Sequence, residues 1–150
     1  MLSKKSKYAI KALLALAKEY GKGPVLISSI SDNENIPKKF LEAILLEFRK
    51  TGGLGSKRGV GGGYYLIKPP EEVMLSSVMR LTDGPIALVP CVSINFYERC
   101  EECVNEEVCG LRNVSIEVRD ASLRVLSNTS IASLLEREKK LIKSSKKQKS

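Results

Sequence analysis

Histidine and tryptophan are missing from this chain. Without imidazole, histidine acid–base catalysis and histidine metal ligation are excluded. Cysteine is confined to four positions between Cys91 and Cys109. A secreted disulfide scaffold spreads its cysteines along the whole chain, whereas local clustering points to metal or redox chemistry. No apolar run reaches the roughly 18 residues of a membrane span. The start, Met1-Leu2-Ser3-Lys4-Lys5, leads into a mixed amphipathic stretch with no uninterrupted apolar stretch and no cleavage site of a secretory leader. A cytoplasmic location and no membrane partner are therefore expected. The glycine run Gly59-Val60-Gly61-Gly62-Gly63 lacks the spacing and the Lys-Ser/Thr of a phosphate-binding loop. No nucleophile–base pairing is visible either, so an enzyme is not expected.

What is present is basic charge, unevenly placed. Residues 1–70 hold 13 Lys/Arg against 5 Asp/Glu, net +8; residues 71–135 hold 5 against 10, net −5; residues 136–150 hold 7 against 2, net +5. A basic front calls for a polyanionic partner. The apolar fraction of 43% is sufficient for a core.

The front reads as three helices. Ile10, Leu13, Leu14, Ala17 and Tyr20 share a face over Lys7 to Tyr20, and Gly21 and Gly23-Pro24 end that helix. Ser28 is placed to cap a short helix over Ser29–Asn33, and Asn35 suits a left-handed turn. Pro37 opens a third helix running to about Lys50, with Phe40, Leu41, Ile44, Leu45 and Phe48 as its buried stripe. Two short helices joined by a tight turn after a third make a helix-turn-helix. Leu54 to Lys68 then reads as a β-hairpin with a glycine tip and two cations at its base, a wing.

A recognition helix needs polar residues in its first turn and apolar residues on its back. Lys38, Lys39 and Glu42 meet the first demand, the lysines as phosphate contacts and Glu42 as acceptor from a cytosine amino group. Arg58 suits a narrowed minor groove, and the neighbouring glycines let backbone approach the sugar–phosphate wall. The candidate duplex contacts are Ser28, Lys38, Lys39, Glu42, Lys57, Arg58, Gly59, Gly61, Gly62 and Tyr64. A merely solvated charged face would carry the same lysines.

Beyond Pro69-Pro70, Glu71 to Leu81 reads as a short helix with Val73, Val78 and Leu81 inward, and Asp83-Gly84-Pro85 as a turn. A long helix begins near Glu106. Its residues Leu111, Val114, Val118, Ala121 and Val125 step by 3, 4, 3 and 4, the seam of a helix paired with its copy. The alternative is a helix packed on its own domain. Thr129–Leu135 reads as a short closing turn, and the tail from Glu136 as disordered, its lysines adding nonspecific DNA affinity. The expected division is residues 1–68 for DNA, 69–135 for the cysteine loop and dimer helix, and 136–150 as tail. The expected fold class is mainly α with a small β-hairpin wing and a long C-terminal dimerisation helix.

The cysteines run Cys91-x8-Cys100-x2-Cys103-x5-Cys109. Four thiolates suffice for zinc or an iron–sulfur cluster. A four-cysteine zinc site usually uses two Cys-x2-Cys-like knuckles and only one is present, so zinc is weaker on spacing. A thiol/disulfide switch, or no cofactor, stays open.

The runs Ile27-Ser28-Ser29-Ile30-Ser31, Ile36 through Glu42, Arg49-Lys50-Thr51-Gly52, and Arg58-Gly59-Val60-Gly61-Gly62-Gly63-Tyr64 resemble the IscR/NsrR/CymR-type family of winged-helix transcription regulators. The likeness covers about residues 4 to 135. It implies a homodimer on a palindromic operator, with Glu42 reading a base and Arg58 entering the minor groove. It also implies a [2Fe–2S] or [4Fe–4S] cluster at Cys91, Cys100, Cys103 and Cys109, modulating DNA affinity. Phe40-Leu41-Glu42 stands where the family shows Tyr-Leu-Glu. Arg112 and Lys7 stand where some members supply a further ligand; the fourth cysteine would complete the set. Other members lack a cluster and respond to a partner protein, which leaves a partner- or ligand-controlled regulator as the alternative.

Overall fold

The apolar periodicities become helices at nearly the expected places. The computed structural model describes residues 2–149. Helix α1 (Lys4–Lys18) starts where the Ser3 side chain accepts a bond from the Ser6 amide, and it buries Ala9, Ala12, Leu13, Leu16 and Ala17. Helices α2 (Ile27–Glu34) and α3 (Lys38–Lys50) follow. Strands β1 (Leu54–Lys57) and β2 (Gly63–Leu66) pair antiparallel, Leu54 opposite Leu66 and Lys57 opposite Gly63. Then come α4 (Leu75–Asp83), α5 (Gly110–Leu126) and α6 (Ile131–Gln148). Single 3-10 turns lie at Pro70–Glu72, Pro90–Val92 and Glu106–Val108. Helices α1 to α4, the strands and the start of α6 share one core of Leu13, Leu16, Ile30, Leu41, Ile44, Leu45, Leu54, Leu66, Val78 and Ile131, among others. The fold is mainly helical with a two-stranded wing. Among the described residues no helix is long and apolar enough to cross a membrane.

Backbone bonds fix the wing to the helices. Val25, just before α2, gives its amide to the Tyr64 carbonyl (2.8 Å) and receives the Tyr64 amide in return (2.9 Å). This approach is possible because the preceding residue is glycine. A Cβ on Gly63, where φ is +146°, would stand 2.1 Å from the Val25 oxygen. The hairpin therefore holds a fixed angle to α2 and α3.

Several local expectations are corrected. Ser28 caps nothing: α2 begins at Ile27 after Leu26, with no side-chain cap bond. Phe40 leaves the buried stripe of α3; it is 55% exposed and packs edge-on against Tyr8, ring centroids 6.1 Å apart. At about 100° per residue, Leu41, Ile44, Leu45 and Phe48 fill the inward arc and Phe40 falls on its flank. Tyr20 lies beyond the end of α1 and is 41% exposed. The long helix starts at Gly110 rather than Glu106, because Cys109 is its N-cap.

The largest correction concerns the tail. Residues 131–148 form one helix instead of a closing turn and a disordered end. Ser130 and Ser133 make a reciprocal capping box, and Ile131 is fully buried. Met74 bridges Ser130, and the Leu75 amide bonds the Thr129 carbonyl (2.9 Å). These tertiary contacts nucleate the helix, and Glu136–Lys139 (2.9 Å) supports its continuation.

Candidate nucleic-acid interface

The turn between α2 and α3 is built by Asn35 in the left-handed region (φ 53°) and by Ser31, whose hydroxyl donates to the Ile36 carbonyl (2.7 Å). With Leu41, Ile44, Leu45 and Phe48 sunk in the core, α3 turns Lys38, Lys39, Glu42 and Arg49 outward. Beside it stands the wing, whose tip carries Lys57 and Arg58, both exposed. Gly62 sits so close under this tip that a Cβ there would lie 2.3 Å from the Lys57 carbonyl.

Helix α3, the start of α2 and the wing enclose one concave surface. Ser28, Lys38, Glu42, Lys57, Arg58, Gly59, Gly62 and Tyr64 all line it. Eight of the ten candidate contacts thus face a single cleft. Lys39 and Gly61 do not line it: Lys39 is one residue further round α3, and Gly61 faces a neighbouring hollow beside Pro24 and Ser29. Tyr64 reaches the cleft while half-buried against the core.

The sequence reading missed Arg49 and Ser56, which line the same cleft. Arg49 lies seven residues, about two helical turns, beyond Glu42, so it falls on the same face. That spacing was readable; the closeness of Ser56 was not, since it depends on where the hairpin docks. Arg49→Gln is expected to weaken binding to operator and unrelated duplexes alike and to reduce the salt slope of binding by about 1 per site. Titration at several salt concentrations checks this; a loss restricted to one operator position would instead make Arg49 a base reader.

The cysteine segment is a separate region. Cys91 is buried on the Pro90–Val92 turn, which packs on α5 and is tied to it by Arg119 donating to the Val92 carbonyl (2.7 Å). Cys100, Cys103 and Cys109 are half-buried. The Cys100 thiol donates to the Glu102 carboxylate (3.2 Å), which holds its pKa above the usual thiol value. Burial, then the neighbouring Cys109 thiol, raises that of Cys103. Cys109 accepts the Arg112 amide (3.4 Å) at the first turn of α5. The Tyr97 hydroxyl donates to the Glu106 carboxylate (2.9 Å). Four thiols suit a cluster chemically, but their placement does not: among the described residues no three metal-ligating side chains stand together as a metal-holding set.

The seam of α5 is bare. Leu111, Val114, Val118 and Val125 are 64%, 50%, 41% and 56% exposed, and Ala121 is exposed too. Only Ser115 of this helix is buried within the chain.

Comparison with known proteins agrees in extent and in kind. The profile of the Rrf2 family, described as iron-dependent transcriptional regulators, matches residues 2–137. An rrf2-like HTH-type transcriptional regulator of Rhodobacter capsulatus is 41% identical over 138 residues, 90% of this chain and 92% of that one. The HTH-type transcriptional regulator NsrR of Geobacillus kaustophilus is 34% identical over 135 residues, 90% of this chain and 89% of that one. The solved structure of CymR, the global cysteine regulator of Bacillus subtilis, superposes with a TM-score of 0.75 at 29% identity, covering 91% of this chain and 97% of that one.

Proposed function

Because this chain belongs to the Rrf2 family of DNA-binding transcriptional regulators, we propose that it is a cytoplasmic homodimer that binds a palindromic operator and is controlled through its cysteine segment. The observation that carries the reading is the shared cleft of α3 and the wing, in which Glu42 and Arg58 face the same space. In this reading residues 1–68 bind DNA and residues 69–135 sense and dimerise. Lys38, Lys39 and Arg49 bind phosphates, Glu42 reads a base edge in the major groove, and Arg58 enters the adjacent minor groove. Ser28, Lys57, Gly59, Gly61, Gly62 and Tyr64 shape or line the approach of the sugar–phosphate wall.

The dimer forms along Leu111, Val114, Val118, Ala121 and Val125. The chain itself half-buries Ile116, Leu123 and Leu126 on one side of α5 and leaves the Leu111–Val125 stripe exposed, and a facing copy would cover that stripe. Two such chains present two reading heads, and a two-fold operator matches them.

Control runs through the segment from Cys91 to Cys109 by thiol redox state, with the neighbouring Cys103 and Cys109 forming a disulfide. The family's iron-dependent description supports an iron–sulfur cluster as the alternative, which would require the four thiols to come together from where they stand. A Cys103–Cys109 disulfide, formed as an external two-electron oxidant such as a small-molecule disulfide takes up the two electrons and two protons, withdraws the Cys109 sulfur from the Arg112 amide and loosens the first turn of α5, where the dimer seam begins. The tilt of the two reading heads then changes, and with it operator affinity.

Footprinting of the region upstream of its own gene, with reduced, oxidised and anaerobically iron- and sulfide-treated protein, tests the reading. A protected two-fold site whose affinity changes between these states is expected. Protection identical in all three would sink the sensing role, and no protected site would sink operator recognition there.

A further inference from the structure

From Glu136 onward α6 leaves the body of the protein. Every residue from 136 to 148 is exposed, a helical rod about 20 Å long at 1.5 Å per residue. Residues 137–147 carry Arg137, Lys139, Lys140, Lys143, Lys146 and Lys147 against Glu138, net +5. Leu141 and Ile142 stand in the same stretch, 69% and 54% exposed. A projecting helix of this length is marginal in water without something to pack on, and two large aliphatic side chains have no use on a purely solvated face.

The cysteine loop is its complement. Residues 98–107 carry Glu98, Glu101, Glu102, Glu106 and Glu107 against Arg99, net −4. Glu98, Glu101, Glu102 and Glu107 are exposed, and Val104 and Val108 beside them are 95% and 80% exposed. Each surface joins one sign of charge to bare aliphatic groups, and the signs are opposite.

We propose that the projecting half of α6 docks on the acidic cysteine loop of a second copy of the chain. The inference rests on the dimer along α5 proposed above. The outer positions of the seam are equidistant from Val118, with Leu111 seven residues before it and Val125 seven after. Antiparallel pairing about a two-fold axis at Val118 sets Leu111 opposite the partner copy's residue 125. Parallel pairing would bring two loops of net −4 together, which like-charge repulsion opposes. In the antiparallel arrangement the partner copy's loop ends beside residue 127 of this copy, four residues before α6 begins. The basic rod is then brought toward Glu98, Glu101, Glu102 and Glu107, which make no ion pair among the described residues, whereas Glu106 pairs with Arg112 (3.8 Å). DNA would employ the lysines but not Leu141 and Ile142; a carboxylate-rimmed aliphatic patch employs both. Docking would cover Cys100 and Cys103, so the rod would restrict access to the loop's thiols.

The test uses the full-length protein as a mixture of unlabelled and ¹⁵N-labelled chains exchanged into mixed dimers. Zero-length carbodiimide coupling, read by mass spectrometry, is expected to join Lys139, Lys140 or Lys143 to Glu98, Glu101 or Glu102 in mixed-isotope peptides. Links confined to one isotope, or no links from these lysines, overturn the proposal. A chain ending at Glu136 keeps the packed Ile131–Leu135 turn. It should show Cys100 alkylated about tenfold faster, with an unchanged salt slope for operator binding. A flattened salt slope with unchanged alkylation would give α6 to DNA and overturn the proposal. Sedimentation separates the two levels: a monomeric full-length chain removes the dimer itself, whereas a dimer without cross-copy links removes only this docking.

Discussion

Arg58→Glu is expected to remove operator binding while leaving the fold intact. Arg58 is exposed at the wing tip and makes no ion pair among the described residues, so its replacement should change stability by less than about 0.5 kcal/mol. Its effect on the duplex is of another size. Loss of one groove contact costs about 1–3 kcal/mol, and a dimer has two, so binding falls by about 2–6 kcal/mol, or about 30-fold to about 20,000-fold. The reversed charge adds repulsion from the phosphates. Glu42→Gln is the companion variant. It keeps the size of the side chain and exchanges an acceptor for a mixed donor and acceptor. It should relax the base preference at one position per half-site while changing the salt slope little. Fluorescence anisotropy with operator variants measures both. Unchanged affinity in the Arg58 variant together with unchanged preference in the Glu42 variant would contradict the cleft as the DNA site.

Val118→Asp should break the dimer without unfolding the chain. Val118 is 41% exposed in a single chain, so an isolated chain tolerates the carboxylate. At the centre of a two-fold seam the same change buries two like charges against each other. An uncompensated buried charge costs about 3–5 kcal/mol, enough to shift a micromolar dimer to monomer. Each monomer then holds one half-site, and operator affinity should fall by at least about a hundredfold. Sedimentation velocity and far-ultraviolet circular dichroism together give the answer: a monomer with full helix content is expected. A persisting dimer would move the interface away from this seam.

The helix-turn-helix was legible because it uses local signals. The αL residue Asn35, the helix stop at Gly52 and the alternation of exposed charge with buried Leu41, Ile44 and Leu45 lie within a few residues of one another. The apolar stripe of α5 was legible for the same reason, since 3–4 spacing is a property of one helix. Phe40 and Ser56 show the limit. Whether Phe40 joins the core and Ser56 the cleft depends on how α1 and the wing pack beside α3. The cysteine segment is less legible. Its spacing states which sulfurs exist; the long irregular loop between Pro85 and Glu106 determines which of them meet.

Composition and periodicity alone established a basic, mainly helical chain without imidazole chemistry, with a helix-turn-helix, a glycine-tipped wing and an amphipathic helix suited to pairing. These are effects of bond geometry and side-chain chemistry over a few turns of chain. Folding in three dimensions decided three other matters. The Val25–Tyr64 bridge set the angle of the wing, the burial of Ile131 made a helix of the lysine-rich end, and Cys109 was given the N-terminus of α5. Each depends on contacts between residues far apart in sequence, or on where a loop places its ends, and neither is encoded in a local pattern.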